Sequence, residues 1–250
     1  MFTSLNGQSA IVTGASKGIG LGIARALAAS GAQVTLVARH LPALESARER
    51  ILAQLPDAKL RIASCDVADW GSVKAMVDEA AAAQRGLSIL CANAGIYPQT
   101  PMETMDPGEW DRVMAVNLRA PLAMTQAVLP TMRAQGGGAI VNLASPAGFH
   151  AVQNLASYSI SKAGMVMLTK CTAKEYAAEG IRCNAIAPGV TQTPILDALP
   201  QPHLDAICAA IPQQRVARPE EIAAMAVFLA SDQASYVNGS IHFVDGAAGA

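Results

Sequence analysis

Seven short apolar runs, separated by longer stretches of helical character, constrain the fold of this chain more than any other feature. In the stretches between them, such as residues 19–30 and 41–55, apolar side chains recur at the spacing of one helix face. Strands that alternate with helices pair in parallel and have both faces covered. The sequence therefore predicts an α/β fold with helices on both faces of a parallel sheet. The predicted strands are residues 9–13, 33–38, 60–65, 87–91, 139–144, 181–187 and 240–244.

One domain spanning residues 1–250 is the simplest organisation, because no composition break or long linker divides the chain. A hydrophobic fraction of 52% over 250 residues is sufficient for a large core. The longest stretch without a clear strand or helix pattern is 188–212, which contains several prolines. Loops of this length in compact domains are usually lids or binding loops. We expect a substrate lid here, with a helix that simply packs on the domain as the equal alternative.

The charge balance argues against nucleic acid and membrane partners. Eighteen Lys and Arg residues stand against 19 Asp and Glu, and no basic cluster accompanies the aromatic residues. Residues 1–12 lack the basic and apolar segments of a signal peptide, and five cysteines without a C-x-x-C pair are typical of reduced thiols. We therefore expect a cytoplasmic protein without a metal site. Its cysteines are predicted to be small core residues: Cys65, Cys91, Cys171, Cys183 and Cys208.

A glycine-rich turn, residues 13–20, follows the first predicted strand and leads directly into a helix. Such a turn places free backbone N–H groups at a helix N-terminus, where an anion binds. Glycine at positions 14, 18 and 20 would let a pyrophosphate approach the backbone without meeting a Cβ. The spacing is G-x-x-x-G-x-G, and an ordinary strand-to-helix connection is the alternative explanation.

The end of the second predicted strand indicates which dinucleotide would bind. At this place a carboxylate typically binds the ribose hydroxyls of NAD(H) and repels a 2'-phosphate. Here the strand ends in Ala38, Arg39 and His40, and no carboxylate is present. Arg39 and Lys17 supply two cations that could flank a phosphate, which favours NADP(H) over NAD(H). The alternative is that both are solvated surface charges.

Tyr158 and Lys162 are four residues apart, so on a helix they share one face. A nearby ammonium favours the phenolate and would lower the pKa of Tyr158 toward neutral pH. Ser145 ends the fifth predicted strand, 13 residues before the tyrosine, and could hydrogen-bond the same substrate oxygen. A Tyr-x-x-x-Lys pair alone is common by chance.

Taken together, these residues resemble the short-chain dehydrogenase/reductase family, and much of the chain is similar to its 3-oxoacyl-carrier-protein reductases. Several independent motifs occur in the family's order across nearly the whole chain. They are residues 13–20, Asp66 with Val67, Asn93 with Ala94 and Gly95, Asn117, Ser145, Tyr158 with Lys162, and Pro188 with Gly189 and Thr193. The resemblance implies a single doubly wound Rossmann domain with the strand order 3-2-1-4-5-6-7.

The resemblance also implies hydride transfer and a catalytic tetrad of Asn117, Ser145, Tyr158 and Lys162. In the reductive direction Tyr158 would protonate a carbonyl oxygen that Ser145 holds. Lys162 would lower the pKa of Tyr158 and bind the nicotinamide ribose, while Asn117 would hold a water in a proton relay. Each role is physically reasonable, because charge that develops on the oxygen needs donors already aimed at it.

The expected cofactor site runs from adenine at Asp66 and Val67 to nicotinamide near Pro188, Gly189 and Thr193. Taken singly, these residues have ordinary explanations as helix caps, strand ends or turns. The complete expected set is Gly14, Ser16, Lys17, Gly18, Ile19, Gly20, Arg39, Asp66, Val67, Asn93, Ala94, Gly95, Tyr158, Lys162, Pro188, Gly189, Val190, Thr191 and Thr193.

A free small ketone, aldehyde or alcohol is the preferred substrate class. A carrier-bound 3-oxoacyl group ranks second, because reductases that meet the acidic carrier use basic residues where this chain has 135–138 and Glu179. The further alternatives are an NAD(H)-preferring alcohol dehydrogenase and a protein that binds NADP(H) without turnover. The resemblance also implies a homotetramer, or a homodimer, joined through helices at 107–133 and 155–178.

Overall fold

The structure is a computed structural model that describes residues 4–197 and 199–249, with all of their side chains except that of Ile195. Its sheet has seven parallel strands in the order 3-2-1-4-5-6-7, so the predicted fold class and strand order are confirmed. The strands are β1 (Ser9–Thr13), β2 (Gln33–Ala38), β3 (Leu60–Ser64), β4 (Ile89–Ala92), β5 (Gly138–Leu143), β6 (Ile181–Pro188) and β7 (Ile241–Val244).

Helices cover both faces of the sheet. They are α1 (Gly18–Ala29), α2 (Leu41–Leu52), α3 (Trp70–Gln84), α4 (Pro107–Met114), α5 (Ala120–Ala134), α6 (Ala156–Tyr176), α7 (Pro194–Asp197), α8 (Gln201–Ala210) and α9 (Pro219–Ala230). Side chains alternate along β1, so Ala10 and Val12 pack with α1 and α9, whereas Ile11 packs with α3 and α5. The two helical layers therefore bury both faces of the central strands, and the order of connection reverses between β1 and β4. No helix in the described part of the chain is long and apolar enough to cross a membrane.

The stretch 188–212 contains two short helices, α7 and α8, joined through residues near Leu199 and Pro200. Leu196 is buried, while Leu199 is exposed. Of the apolar residues expected to close over a ligand, the side chain of Ile195 lies outside the described structure. Prolines at the start of both helices explain why the sequence pattern did not show them, because proline also marks turns.

The cysteines are free thiols, but their predicted burial is only partly confirmed. Cys65, Cys91 and Cys183 are buried, and burial raises the pKa of the Cys65 thiol to about 11. Cys208 is half-buried, and Cys171 is exposed because it lies on the side of α6 away from the sheet. The prediction of a core position was therefore wrong for Cys171.

Asn184 of β6 forms hydrogen bonds with the segment that leads into the edge strand β7 and so stabilises the position of this strand in the sheet. This buried side chain on β6 donates from Nδ2 to the Val237 carbonyl oxygen (2.8 Å) and accepts at Oδ1 from the Ser240 N–H (3.0 Å). Asn184→Ala would leave both backbone groups without these partners, and we expect the free energy of unfolding to fall by about 2 kcal/mol. Urea denaturation measures this change. Arg133→Gln, which breaks an exposed ion pair with Glu179, is the control and should shift the midpoint much less.

Candidate active site

The glycine turn between β1 and α1 has the backbone geometry that a pyrophosphate site needs. Gly14 and Gly18 have φ angles of +64° and +55°, which side chains rarely adopt. A Cβ at Gly14 would lie 2.8 Å from Nδ2 of Asn93, and one at Gly20 would overlap the Gly14 carbonyl oxygen. The N-terminus of α1 therefore meets an open cradle that only glycine can form.

A groove of about 520 Å³ extends from this turn across the carboxyl ends of β1 to β4. Its position at the reversal of strand connection is where doubly wound folds bind dinucleotides. The groove brings together most of the predicted cofactor residues, so the residues present fit a dinucleotide. These are Gly14, Ser16, Lys17, Gly18, Ile19, Gly20, Arg39, Asp66, Val67, Asn93, Ala94, Gly95 and Thr193.

Hydrogen bonds between β1 and the turn after β4 hold the floor of the groove. The Thr13 hydroxyl oxygen accepts from the backbone N–H groups of Asn93 and Ala94, each at 3.0 Å. Nδ2 of Asn93 donates in return to the Thr13 carbonyl oxygen at 2.8 Å. Asn93, which follows β4, therefore holds the glycine turn that follows β1 in place. The sequence motif of Asn93, Ala94 and Gly95 alone did not indicate this role.

At the end of the groove beside β2 and β3, Arg39 and Lys17 are both exposed and both face the cavity, together with His40. Asp66 also lines the groove, and its Oδ1 accepts a hydrogen bond from the Ala68 N–H (3.0 Å). No carboxylate follows β2, since the residues after Ala38 are Arg39, His40 and Leu41. This end of the groove is therefore positively charged at the position next to β2.

Asn117 lies in a π-helical turn, Ala115–Arg119, that interrupts the helix predicted over 107–133. The extra residue in this turn aims the buried side chain at the end of β4. Its Oδ1 accepts from the Ile96 N–H (2.9 Å), and its Nδ2 donates to the Ile96 carbonyl oxygen (2.8 Å) and the Ser161 hydroxyl (3.1 Å). A Cβ at Gly95 would lie 3.4 Å from Oδ1 of Asn117 and 3.8 Å from Nζ of Lys162, so glycine keeps these two groups close.

Ser145 and Tyr158 meet beside the groove, on opposite sides of a tight turn. Ser145 follows β5, and its hydroxyl oxygen accepts from the Ala147 N–H (3.2 Å), which caps the 3₁₀ turn Pro146–Gly148. Tyr158 lies in the first turn of α6, where the Tyr97 ring packs edge-on with 5.9 Å between ring centroids. Burial raises the pKa of Tyr158, and its hydrogen bond with the Ser145 side chain acts in the opposite direction.

Lys162 is buried below the tyrosine ring, with Nζ 5.7 Å from the ring centroid. Its ammonium group donates to the Leu143 carbonyl oxygen of β5 (2.5 Å), and burial lowers its pKa to about 8. The raised pKa of Tyr158 is thus opposite to the expected effect of Lys162. The physical reason is that burial of the phenolate, with a smaller contribution from Tyr97, outweighs the hydrogen bond with Ser145.

Six residues predicted to bind the cofactor do not line the groove, and four of the six lie together. These four are Pro188, Gly189, Val190 and Thr191, at the end of β6. Gly189 packs against the backbone of Asp245, and the buried Thr191 donates its hydroxyl proton to the Gly189 carbonyl oxygen (3.0 Å). Tyr158 and Lys162 lie beside this groove and not in its lining.

Sequence reasoning missed several groove residues because they belong to no Gly-rich or catalytic motif. They are Ala38, His40, Ala43, Cys65, Arg112, Val116 and Pro194. Arg112 and Val116 are four residues apart near the end of the α4 region, so they share the helix face that the groove exposes. Their closeness in sequence to Asn117 could have indicated that Arg112 and Val116 lie near the groove.

Comparison with known proteins gives matches over nearly the full length. A family model described as enoyl-(acyl carrier protein) reductase matches residues 14–248. The chain is 42% identical to cis-4-hydroxycyclohexanecarboxylate dehydrogenase of Sinomonas cyclohexanicum, over 95% of this chain and 94% of that protein. It is 34% identical to a 3-oxoacyl-[acyl-carrier-protein] reductase of Thermotoga maritima, over 97% of this chain and 98% of that protein.

The fold comparison agrees with the sequence comparison. The crystal structure of levodione reductase superposes with a TM-score of 0.92 at 35% identity, covering 96% of this chain and 97% of that chain. Proteins of this group are oxidoreductases that use a nicotinamide cofactor. The resemblance of the sequence motifs is thereby confirmed. The chain belongs to the short-chain dehydrogenase/reductase family of oxidoreductases.

Proposed function

We propose that this protein transfers a hydride between NADP(H) and a carbonyl or secondary alcohol substrate, with Tyr158 as proton donor and acceptor. The observation that carries the proposal is the meeting of Ser145, Tyr158 and Lys162 beside a groove with a glycine cradle. When bound, the nicotinamide supplies the hydride, and the protein supplies orientation and proton delivery.

The proton chemistry follows from the surroundings of Tyr158. Because burial raises its pKa, the phenol keeps its proton at neutral pH, which suits a donor to a carbonyl oxygen. The Ser145 hydroxyl, already in contact with the phenol, would hold the same oxygen as charge develops on it. Lys162 and Asn117 meet at Gly95, and there a water could pass a proton toward the tyrosine.

NADP(H) is proposed over NAD(H) because of the charges at the end of β2. Arg39 and Lys17 face the groove there, and the residues directly after β2 include no carboxylate that would repel a 2'-phosphate. An NAD(H)-preferring alcohol dehydrogenase is the alternative, and binding without turnover is another. The complete tetrad supports turnover, since a protein that only binds the dinucleotide needs no proton donor.

A carrier-bound 3-oxoacyl substrate ranks second. An acidic carrier would need basic residues at the end of α5 and α6, where the half-buried Glu179 binds Arg133. This ion pair neutralises the basic side chain nearest to that surface, so attraction to an acidic partner is weak. The similarity to the Thermotoga maritima reductase keeps the alternative open to test.

Fluorescence titration with NADPH and NADH, followed by a panel of ketones and a 3-oxoacyl thioester, tests the proposal. We expect tighter binding of NADPH and its oxidation in the presence of a free ketone. Tighter binding of NADH would contradict the cofactor proposal. Faster reduction of the carrier-bound thioester than of every free ketone would favour the second substrate class.

The rate of ketone reduction should be level near neutral pH and fall as the pH rises through about 8. The reason is that Lys162, whose pKa is lowered to about 8, loses above this value the proton that it would pass toward Tyr158. Initial rates with saturating NADPH from pH 6 to 10 measure the profile. Lys162→Arg keeps its charge over this range, so its residual activity should not fall at about pH 8. A wild-type rate that stays level beyond pH 9 would contradict the prediction.

We also propose a cytoplasmic homotetramer, or a homodimer. Met167, Ile160 and Cys171 are exposed on α6, one of the two helices expected at the interface. An apolar residue such as Met167, which is 57% exposed, is better covered by another subunit than by water. Sedimentation of the purified protein measures the oligomeric state, and a monomer at micromolar concentration would contradict the proposal.

A further inference from the structure

Three segments lie at the mouth of the catalytic site, and we call them the rim: residues 97–106, residues 149–155, and residues 191–197 with Leu199. The first begins with Tyr97, whose ring packs on Tyr158. The Thr100 N–H donates to the Asn154 carbonyl oxygen (2.9 Å), which joins the first segment to the second. The third segment contributes Thr193 and Pro194 to the groove, beside Ile96. Any substrate that reaches Tyr158 must therefore lie against the rim.

The rim carries an unusual share of the exposed apolar side chains of the described structure. The described structure as a whole has twelve exposed large apolar side chains, and five of the twelve belong to the rim. These five are Tyr97, Met102, Phe149, Val152 and Leu199, with exposures between 38% and 76%. Phe149 packs on Phe243 of β7, with 4.9 Å between ring centroids, which gives one side of the mouth an aromatic wall. Exposed apolar side chains beside a catalytic site are typical of a surface that binds an apolar ligand.

The rim contains no lysine or arginine, and its formal charges are carboxylates. Asp106 caps α4 through the Gly108 N–H (2.8 Å), Asp197 accepts from the Gln192 side chain, and Glu103 is exposed. A substrate carboxylate or phosphate at the rim would thus lose water without gaining a lysine or arginine counter-ion.

Cations around the mouth are engaged elsewhere. Arg215 lines a cavity with Phe243 and pairs with Glu221 (2.8 Å). Lys162 is buried and donates to the Leu143 carbonyl oxygen, and its place below Tyr158 is part of the proton path. Lys17, Arg39 and Arg112 line the groove that fits the dinucleotide. The rim therefore depends on its own residues to recognise a substrate, and these are apolar, polar without a formal charge, or acidic.

We propose that the substrate is an uncharged, largely hydrocarbon ketone or secondary alcohol, and that the rim selects against anionic substrates. This inference rests on the proposed function, because it assigns the substrate class of the same site. It separates this chain from what the name of its Sinomonas cyclohexanicum relative states, since that protein acts on a hydroxycyclohexane with a carboxylate.

A matched pair of ketones isolates the effect of substrate charge on the rate of reduction. Methyl 4-oxocyclohexanecarboxylate and 4-oxocyclohexanecarboxylate share the ring and the ketone, but only the acid is anionic at pH 7.5. We expect kcat/KM for the ester to exceed that for the acid by roughly 50-fold, the cost of placing an unpaired carboxylate against this rim. Equal values, or a higher value for the acid, would overturn the inference.

A second measurement distinguishes failure of this inference from failure of the proposed function. Each ketone is titrated into the complex of the protein with NADPH, and the change in nicotinamide fluorescence reports binding without turnover. Binding of the ester but not of the acid, even without oxidation of NADPH, supports the inference and contradicts only the proposed function. Binding of both with equal affinity, or of neither, overturns the inference.

Gln153→Arg places a cation on the second segment of the rim, where Gln153 is exposed. Restoring the missing counter-ion should reduce the ester-to-acid ratio of kcat/KM about tenfold, mainly by raising the value for the acid. Gln153→Met is the matched control, because it has similar length and no charge, and it should leave the ratio unchanged. An equal effect of the two substitutions would go against selection by charge.

Discussion

Replacing Tyr158 by phenylalanine is expected to lower kcat for ketone reduction by about 1,000-fold while binding of NADPH stays nearly unchanged. The substitution removes only the hydroxyl, so the ring keeps its edge-on contact with Tyr97 and its place above Lys162. The loss should fall on kcat, because the hydroxyl acts when charge develops on the substrate oxygen and not when the dinucleotide binds. Stopped-flow oxidation of NADPH and fluorescence titration measure the two quantities.

Tyr176→Phe is the matched control, since it removes a phenolic hydroxyl from the far end of the same helix. There the ring lies under the Arg133 guanidinium, 5.3 Å from its centroid, at the opposite end of α6 from the catalytic site. Its activity should equal that of the wild type. If Tyr158→Phe retained more than a tenth of the wild-type rate, another group would have to deliver the proton, and the proposed role of Tyr158 would be wrong.

The strand positions and the glycine cradle could be predicted because each depends on local patterns that the fold does not override, whereas the strand order was expected only from the resemblance to the family. The alternation of apolar runs and helical stretches leaves few ways to cover a parallel sheet, and the observed strand ends differ from the predicted ones by at most two residues. Gly14, Gly18 and Gly20 were informative for the same reason, since positive φ and close backbone approach admit no other residue at low cost.

Features that depend on burial or on register between distant segments could not be predicted. The π-helical turn at Asn117 arises where the side chain bonds with Ile96, a contact between residues far apart in sequence. The raised pKa of Tyr158 reflects desolvation, which a Tyr-x-x-x-Lys spacing does not encode. The place of Thr191 likewise depends on a distant segment, because its backbone pairs with that of Ala217.

Arg39→Asp should invert the cofactor preference. The exposed guanidinium faces the groove directly after β2, where the 2'-phosphate of NADP(H) would lie. Losing one charge-assisted hydrogen bond costs about 1.5–3 kcal/mol, and repulsion by the new carboxylate adds to it. We therefore expect the Kd for NADPH to rise about 100-fold, while the Kd for NADH stays the same or falls, because a carboxylate at this place binds ribose hydroxyls.

Three variants separate the contributions to this change. Arg39→Ala removes the attraction without adding repulsion, so its Kd for NADPH should lie between those of the wild type and Arg39→Asp. Arg48→Asp makes the same change of net charge on α2, outside the groove, and should alter neither affinity by more than a factor of two or so, because exposed charges at a distance are screened by salt. Unchanged NADPH affinity in Arg39→Asp would mean that the two cations are solvated surface charges, and the NAD(H)-preferring alternative would then replace the proposed cofactor. An equal loss in Arg48→Asp would instead assign the effect to net charge and remove Arg39 from the phosphate site.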